Sequence, residues 1–344
     1  MLDSMKSLLK YLLIICSIVV LLYIVSDFSK DDEERFLCGT LLSLDKKRTS
    51  GIGNHVFEII SFLGIANQLN RIPVIKPSDA DHILKKHPEL ENMFSKVKIL
   101  DCPAETTAVP FKHYCCSFSD PIPVFYRYRR EKFVSVRINY TQSFKYFEGL
   151  DRNDVQQRIR PREDILKFAE TQFVNVSLME SAKRIVCVHT RRGDFVNAKI
   201  PSPSHESFTV PAVKFVHGRE TSKHGGSIVV LIGDDIKWLQ GLQSKLENIV
   251  AVVAGTGKKS PSPMVDWSFG AIYCDSVLLT ASASTFGWWL AYNSRGQKVF
   301  YNTVFSKPGG YRETFVPEDY FPKEWIPLEY ELQTGSVGAR PPYI

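Results

Sequence analysis

The chain has 344 residues, of which 44% are hydrophobic and 23% charged, a globular composition that excludes a disordered protein. That length accommodates one large core or two domains of ordinary size. The formal net charge is only +6. The arginines between Arg127 and Arg162 are interspersed with Glu, Asp and apolar residues. They read as solvated faces, not as a stripe for nucleic acid.

From the N-terminus, residues 11–25, YLLIICSIVVLLYIV, form a continuous, mostly apolar run. Extended to Leu8 and Ser26, it reaches the short end of the roughly 17–20 residues that span a bilayer. Lys6 and Lys10 precede it, while Asp27, Asp31, Asp32, Glu33 and Glu34 follow. The positive-inside bias then predicts a cytosolic tail over 1–10, a signal anchor over 11–26 and a short acidic stem over 27–36. A cleaved signal peptide would have a compatible length. Its cleavage site would fall near Ile24-Val25-Ser26, which is poor in small residues, so the anchor is the preferred reading. A short span suits a thin early-secretory bilayer.

In that topology the body is lumenal. Cys16 lies in the span, and Cys38, Cys102, Cys115, Cys116, Cys187 and Cys274 face an oxidising compartment. None has CxxC or Cys/His zinc spacing, so at least one disulfide is expected, with the pairing open. Asn139-Tyr140-Thr141 and Asn175-Val176-Ser177 are glycosylation sequons that fit a lumenal body.

Residues 51–75, GIGNHVFEIISFLGIANQLNRIPVI, read as a glycine turn, a helix and a strand. Val56, Ile59, Ile60, Leu63 and Ala66 follow helical spacing, and KVKIL (96–100) predicts a further strand. This is βαβ grammar. The stretch 105–160, rich in Pro, Tyr and Arg, has no clear period and predicts loops and a domain junction. From Arg184 onward RIVCVH, SIVVLIG, IVAVVAG, SVLLTA and KVFYN are apolar strands without alternation, as in a parallel sheet covered on both faces. Helical stretches separate them at Ile236–Leu246 and Phe286–Asn293. The terminal QTGSVGARPPYI is expected to fray.

The segment RIVCVHTRRGDFV (184–196) contains the tripeptide RGD, which adhesion receptors read on mobile exposed loops. Here an apolar strand leads straight into it. Loops after parallel strands bind ligands, and two adjacent guanidiniums suit a diphosphate. Structural salt bridges are the plain alternative. GTGKKS (255–260) fails as a phosphate loop, because Val252 stands where Gly is needed and Lys259 where Ser or Thr is. Asp79-Ala80-Asp81 has the spacing of a metal-dependent sugar-nucleotide site, but it reads better as a helix start. SGIGNH (50–55) and SASTFGWW (282–289) are turns into helices that offer backbone N–H groups and hydroxyls to phosphate. Asp266, before WSFGAIYC, could take two hydrogen bonds from a guanine edge; ordinary capping is its alternative.

These three stretches, GIGNHVFEIISFLGIANQLNRIPVI, VCVHTRRGDFV and DWSFGAIYCDSVLLTASASTFGWWLAYNS, in that order, resemble the α-1,2-fucosyltransferase family, glycosyltransferase family 11. The resemblance covers Ser50 to Tyr301, and the Arg motif is shared with α-1,6- and protein O-fucosyltransferases. It implies a GT-B-like α/β fold of two Rossmann-like domains with parallel sheets. The first, 37–170, would face the acceptor, the second, 171–332, would bind GDP-fucose, and 333–344 would be a flexible tail. It also implies GDP-fucose as donor, inversion, and no metal or other cofactor. The partners implied are a glycan acceptor on glycoprotein or glycolipid, with galactose O-2 as the favoured position, and a Golgi membrane.

Carried over residue by residue, His189 and Asp266 match guanine-side positions and Arg191 the arginine on the diphosphate, with Arg192 its neighbour. Asn54 sits in the glycine turn near the diphosphate, and Ser284, Thr285 and Phe286 match the phosphate loop. Asp194, Asp234 and Asp235 are strand-end carboxylates, with Asp194 a candidate beside Arg191 for the catalytic set. The chain departs from the family at His55, where Gln is usual, and at Phe195, where Tyr is common. Another fucose linkage, a protein acceptor, or a non-catalytic sugar-binding or adhesion protein are the competing readings.

Overall fold

The computed structural model describes residues 34–41, 51–174, 176–255, 260–310 and 314–341. The expected anchor and its flanking charges other than Glu34, the sequon asparagine Asn175 and most of the GTGKKS segment lie outside them. Among the described residues no helix is long and apolar enough to cross a membrane.

Two parallel sheets organise the chain. The first runs β3-β2-β1-β5-β4, from β1 (Phe36–Thr40), β2 (Ile72–Ile75), β3 (Lys98–Ile99), β4 (Thr107–Ala108) and β5 (Phe133–Arg137). The second runs β12-β11-β10-β9-β6-β7-β8. Its strands are β6 (Ile185–Thr190), β7 (Ile228–Gly233), β8 (Ala251–Val253), β9 (Ser276–Leu279), β10 (Lys298–Asn302), β11 (Ile326–Glu331) and β12 (Ser336–Ala339). All pairings are parallel except β11 with β12. Every residue of β6 is buried, as its unalternating apolar run requires.

Sequence reading finds most of the second sheet and misses the middle of the first. β1 and β5 pair centrally, yet FLCGT and FVSVR are short segments embedded in polar sequence. The C-terminal tail is a correction. Ser336–Ala339, expected to fray, pairs antiparallel with β11 after a turn at Gly335, whose φ of 66° suits glycine.

Eight helices matter for the site: α1 (Ile52–Gln68), α2 (Pro77–Lys86), α3 (Glu163–Thr171), α4 (Gly193–Asn197), α5 (Glu206–His224), α6 (Ile236–Gln243), α7 (Met264–Tyr273) and α8 (Thr285–Asn293). Helix α3, all but its last residue of which was expected in the first domain, packs against α7. Disulfides Cys38–Cys102 and Cys187–Cys274 tie β1 and β6 to segments 64 and 87 residues away, and adjacent Cys115 and Cys116 are bonded to each other. The first two close long loops in the unfolded chain, the situation in which a disulfide stabilises most.

The two sheets are joined by an aromatic core. From the first side, Phe57 of α1 lies 4.6 Å from the Trp288 ring and 4.9 Å from Trp289, both on α8. Phe147 stacks on Trp289 at 5.7 Å. Both tryptophans and Phe57 are fully buried. Each such side chain contributes about 1.5–3 kcal/mol by burial, and aromatic pairs add about 0.5–1.5 kcal/mol. The hinge between the halves is therefore a continuation of the core. It presses the start of α1 against the start of α8.

Asp79 and Asp81 do not form a metal pair. Asp79 is fully buried in the first turn of α2, where it accepts from the Ser78 hydroxyl and the Leu41 backbone, while Asp81 is exposed. Burial raises the Asp79 carboxyl above its usual range. Neither residue caps α2, whose N-cap position is Lys76.

Candidate active site

The C-terminal ends of β6 and β7 and the starts of α1, α7 and α8 converge on a cleft of about 460 Å³, within the size range of ligand sites. Of the expected residues, Asn54, His189, Arg191, Asp194, Asp266, Ser284, Thr285 and Phe286 line it. Arg192 does not.

The RRGD segment is locked in place. Asp234, just after β7, accepts from the Arg192 backbone N–H at 2.8 Å and lies 3.3 Å from Arg191 Nε. A Cβ at Gly193 would meet Asp234 Oδ2 at 2.6 Å, so only glycine allows this approach. The Arg192 guanidinium turns outward, donating to the Ser204 carbonyl at 2.9 Å and stacking 4.8 Å from the Trp238 ring. It also reaches Asp235, the N-cap of α6, at 3.4 Å. Its placement is structural, which corrects the expectation of a donor contact. Asp194 accepts from Arg191 through both Nη2 (2.7 Å) and Nε (3.0 Å). Each RGD residue is engaged by neighbours: Arg192 by Ser204, Asp235 and Trp238, Gly193 against Asp234, and Asp194 on Arg191.

Arg191 is thus oriented by Asp194 and Asp234, and its backbone N–H is held by the Ser204 hydroxyl at 3.0 Å. Nη1 has no protein partner among the described residues. The guanidinium is one-third exposed and lines the cleft. It is a fork with a free tine, positioned for an anion.

His189 is buried on β6, and burial, with Arg191 nearby, depresses its imidazolium to about 3. The ring is neutral at working pH, and Nδ1 has no partner. A Cβ at Gly287 would come within 2.4 Å of that nitrogen, so the glycine lets α8 begin directly over the ring. Asp266 lies within the first turn of α7, whose N-cap is Pro263, so capping is not its role. It keeps some surface open to the cleft, but protein encloses it, and desolvation pushes the carboxyl up to about 7. Among the described residues it has no hydrogen-bond donor, so the carboxyl is open to accept from a ligand in the cleft.

The 282–289 turn is built as sequence suggests. Ser284 caps α8 by accepting from the Gly287 N–H at 3.3 Å. The Thr285 hydroxyl donates across the cleft floor to Asn54 Oδ1 at 2.8 Å. Phe286 packs 5.2 Å from Trp267, whose indole N–H donates to the Phe286 carbonyl at 2.9 Å. From the other side, a Cβ at Gly53 would sit 2.7 Å from the Phe286 nitrogen. The Trp289 indole donates to the Gly53 carbonyl at 3.1 Å. The two glycine-bearing helix starts touch backbone to backbone.

The opposite wall was not foreseen. His87, Cys115, Tyr140 and Gln142 line it; the last three come from the stretch without a clear period, and His87 from the end of α2. Tyr140 adopts φ 55° and donates its N–H to the buried Glu58 at 3.2 Å. Gln142 Nε2 donates to Asn54 Oδ1 at 3.0 Å. His87 is shifted down by burial, and its ring packs 5.5 Å from His55, which sits behind the cleft surface. Asn139 is half-buried beside Tyr140, and its sequon partner Thr141 is fully buried.

The glycosyl transferase family 11 model matches residues 125–329. A galactoside 2-alpha-L-fucosyltransferase of Caenorhabditis elegans is 32% identical, over 90% of this chain and 84% of its own. Galactoside 2-alpha-L-fucosyltransferase SEC1 of Bos taurus is 25% identical, over 82% of this chain and 72% of its own. Among solved structures, fucosyltransferase NodZ from Bradyrhizobium is similar at TM-score 0.47 and 12% identity, covering 90% of this chain and all of that one. The matched span carries Tyr140, Gln142 and every cleft residue from His189 to Phe286, and with a relative above 30% identity across nine-tenths of its length, the chain belongs to glycosyl transferase family 11.

Proposed function

We propose that the cleft binds GDP-fucose and that the chain is a fucosyltransferase of GT-B type, transferring L-fucose with inversion to a glycan hydroxyl, the galactose O-2. The observation that carries this reading is the convergence of one free guanidinium tine, two helix starts, a neutral histidine and an unpartnered carboxyl in a single cleft at strand ends. That set matches a guanosine diphosphate in order: Asp266 and His189 for the base, Arg191 and the α8 start for the diphosphate. The relatives' names supply the galactose acceptor.

Departure of GDP develops charge on the diphosphate. Arg191, pre-oriented by Asp194 and Asp234, stabilises that charge without reorganising. The N–H groups at the starts of α1 and α8 add to it. Together they provide the compensation that a divalent ion gives in other transferases. Asp194 acts through Arg191, which it holds by two contacts to its Oδ1. The acceptor enters along the His87–Tyr140 wall, the only side of the cleft not committed to the nucleotide in this assignment. The N-terminal apolar segment is proposed as a type II anchor that places the body in the Golgi lumen, with Asn139 and Asn175 as sequons.

Incubation of the purified chain with GDP-fucose and a panel of glycans should release GDP only with galactose-terminated acceptors. Linkage analysis of the product should show fucose on O-2. Binding of GDP without turnover on any acceptor would favour the binding-only reading instead.

A further inference from the structure

Tyr140 lines the cleft with its backbone in the left-handed region, at φ 55°. Among the described residues, six other than glycine have positive φ, and of these Tyr140 alone lines this cleft. The conformation crowds an L side chain and is uncommon outside Gly, Asn and Asp. Here the surrounding bonds over-determine it. The Asn139 carbonyl accepts from His113 Nε2 at 2.7 Å, and the Tyr140 N–H donates to Glu58 Oε1 at 3.2 Å. The Tyr140 carbonyl accepts from the Gln142 N–H at 2.8 Å, and the Thr141 carbonyl from the Ser61 hydroxyl at 2.7 Å. Glu58 and Ser61 are fully buried on α1, the helix at the seam between the two sheets.

Strain held this firmly at a cleft wall directs attention to the side chain it carries. Phe286, Phe195 and Tyr140 are the phenyl-bearing residues of the lining. Phe286 packs 5.2 Å from Trp267, and Phe195 lies 5.7 Å from the Arg191 guanidinium. The partly exposed Tyr140 ring meets no other ring or cation, and its hydroxyl has no protein partner, among the described residues. Tyr146, further along the same stretch, is the contrast. It is fully buried, and its hydroxyl accepts the Ser119 N–H at 3.1 Å. One tyrosine is spent on the fold and the other is not. An unspent aromatic in a cleft offers a flat apolar face. The matching surface of a sugar is its C–H face, which is broad in galactose because the axial O-4 leaves H-3, H-4 and H-5 clustered on the opposite side.

We infer that Tyr140 is an acceptor-binding residue, whose ring is held by the left-handed turn as a platform for the C–H face of a terminal galactose. This rests on the proposed fucosyl-transfer reading of the cleft. Helix α1 then serves both substrates: its start, at Gly53 and Asn54, faces the nucleotide, and its middle, at Glu58 and Ser61, holds the turn that presents the acceptor platform.

The test compares Tyr140→Asn and Tyr140→Phe in the full chain, by steady-state transfer from GDP-fucose to a galactose-terminated disaccharide. Asparagine tolerates the left-handed turn and keeps the Asn139 sequon, so it removes the ring without adding strain. Acceptor KM should rise roughly tenfold to a hundredfold, the scale for losing one buried aromatic face. GDP affinity and kcat at saturating acceptor should stay close to wild type, and the unfolding temperature should not fall. Phenylalanine keeps the ring and should bring acceptor KM most of the way back. A merely structural tyrosine would instead lower the unfolding temperature and move GDP affinity together with acceptor KM. An unchanged acceptor KM in Tyr140→Asn, an equal loss of GDP affinity, or a phenylalanine variant as impaired as the asparagine one overturns the inference while leaving fucosyl transfer intact. If Tyr140→Asn does not fold, Tyr140→Gly, with the residue freest at this φ, carries the same expectation, and its failure to fold overturns the inference too. A wild-type chain that transfers fucose to no galactose-terminated acceptor overturns the reading of the cleft itself.

Discussion

The two walls of the cleft are built differently. The wall on the second sheet comes from strands of up to six residues, wholly buried in β6, and its candidate groups sit at or just after a strand end or at the start of a helix. The wall on the first sheet owes only the start of α1, Ile52 to Asn54, to a regular element. His87, Tyr140 and Gln142 sit in irregular connections, and the edge strands β3 and β4 have two residues each. Short capped turns hold a charge-binding geometry to fractions of an ångström, and loops tolerate change. On the proposed reading, the rigid wall takes the nucleotide and the irregular one the acceptor.

The largest expected effect lies on the rigid wall. Arg191→Ala should lower kcat/KM by roughly 10²-fold or more, the scale for losing one preorganised donor to a developing anion. Near-normal transfer by a folded variant in steady-state assays would remove the anion site from the account.

Asp266 should give the next largest effect, as a pH dependence. Its carboxyl is raised from 3.8 to about 7, so the folded chain holds a proton there that the unfolded chain has released. Stability from that proton is present at low pH and is lost as pH rises from 3.8 through about 7. Guanine N–H groups need the ionised form. GDP binding should therefore strengthen as pH rises to about 7 and release a proton, measurable by calorimetry in buffers of different ionisation enthalpy. Asp266→Asn should abolish the slope and the proton release; an unchanged slope would place the titration elsewhere.

Gly53→Ala probes the seam. Its Cβ would press on the Thr285–Phe286 backbone, which cannot move aside as a side chain can. Destabilisation of about 1–3 kcal/mol, the cost of overpacking, should appear in thermal unfolding. His87→Ala should be milder and fall on the other wall, raising the acceptor KM several-fold while leaving GDP affinity unchanged. A reversed pattern would break the division between the walls. Smallest of all is the chelator effect. With Arg191 and helix starts compensating the diphosphate, EDTA should leave the rate unaltered, and a loss restored by Mn²⁺ would contradict the proposed metal independence.

The same contrast explains what was legible in the sequence. HTRRGD and STFGWW carry local information: an apolar run, then the charge or cap that ends it. His189, Arg191, Asp266, Ser284, Thr285 and Phe286 could therefore be named from sequence, and the fold brings all six to one cleft. Arg192 was over-read, because sequence cannot say that Trp238 and Asp235, more than 40 positions later, draw its guanidinium outward. Gln142 and His87 were missed because nothing local marks them; only the folded chain brings them to the cleft. The terminal strand β12 escaped for the same reason, since SVGA gains its meaning from the register with β11.

The central claim is that the arginine after β6 is a bidentate anion fork and not a general positive charge. Calorimetric titration of GDP into the wild-type chain and into Arg191→Lys tests it most directly, because lysine keeps the charge and loses the fork. The account predicts that the lysine variant, equally stable without ligand, loses roughly tenfold or more in GDP affinity. Equal affinities in the two proteins would contradict it.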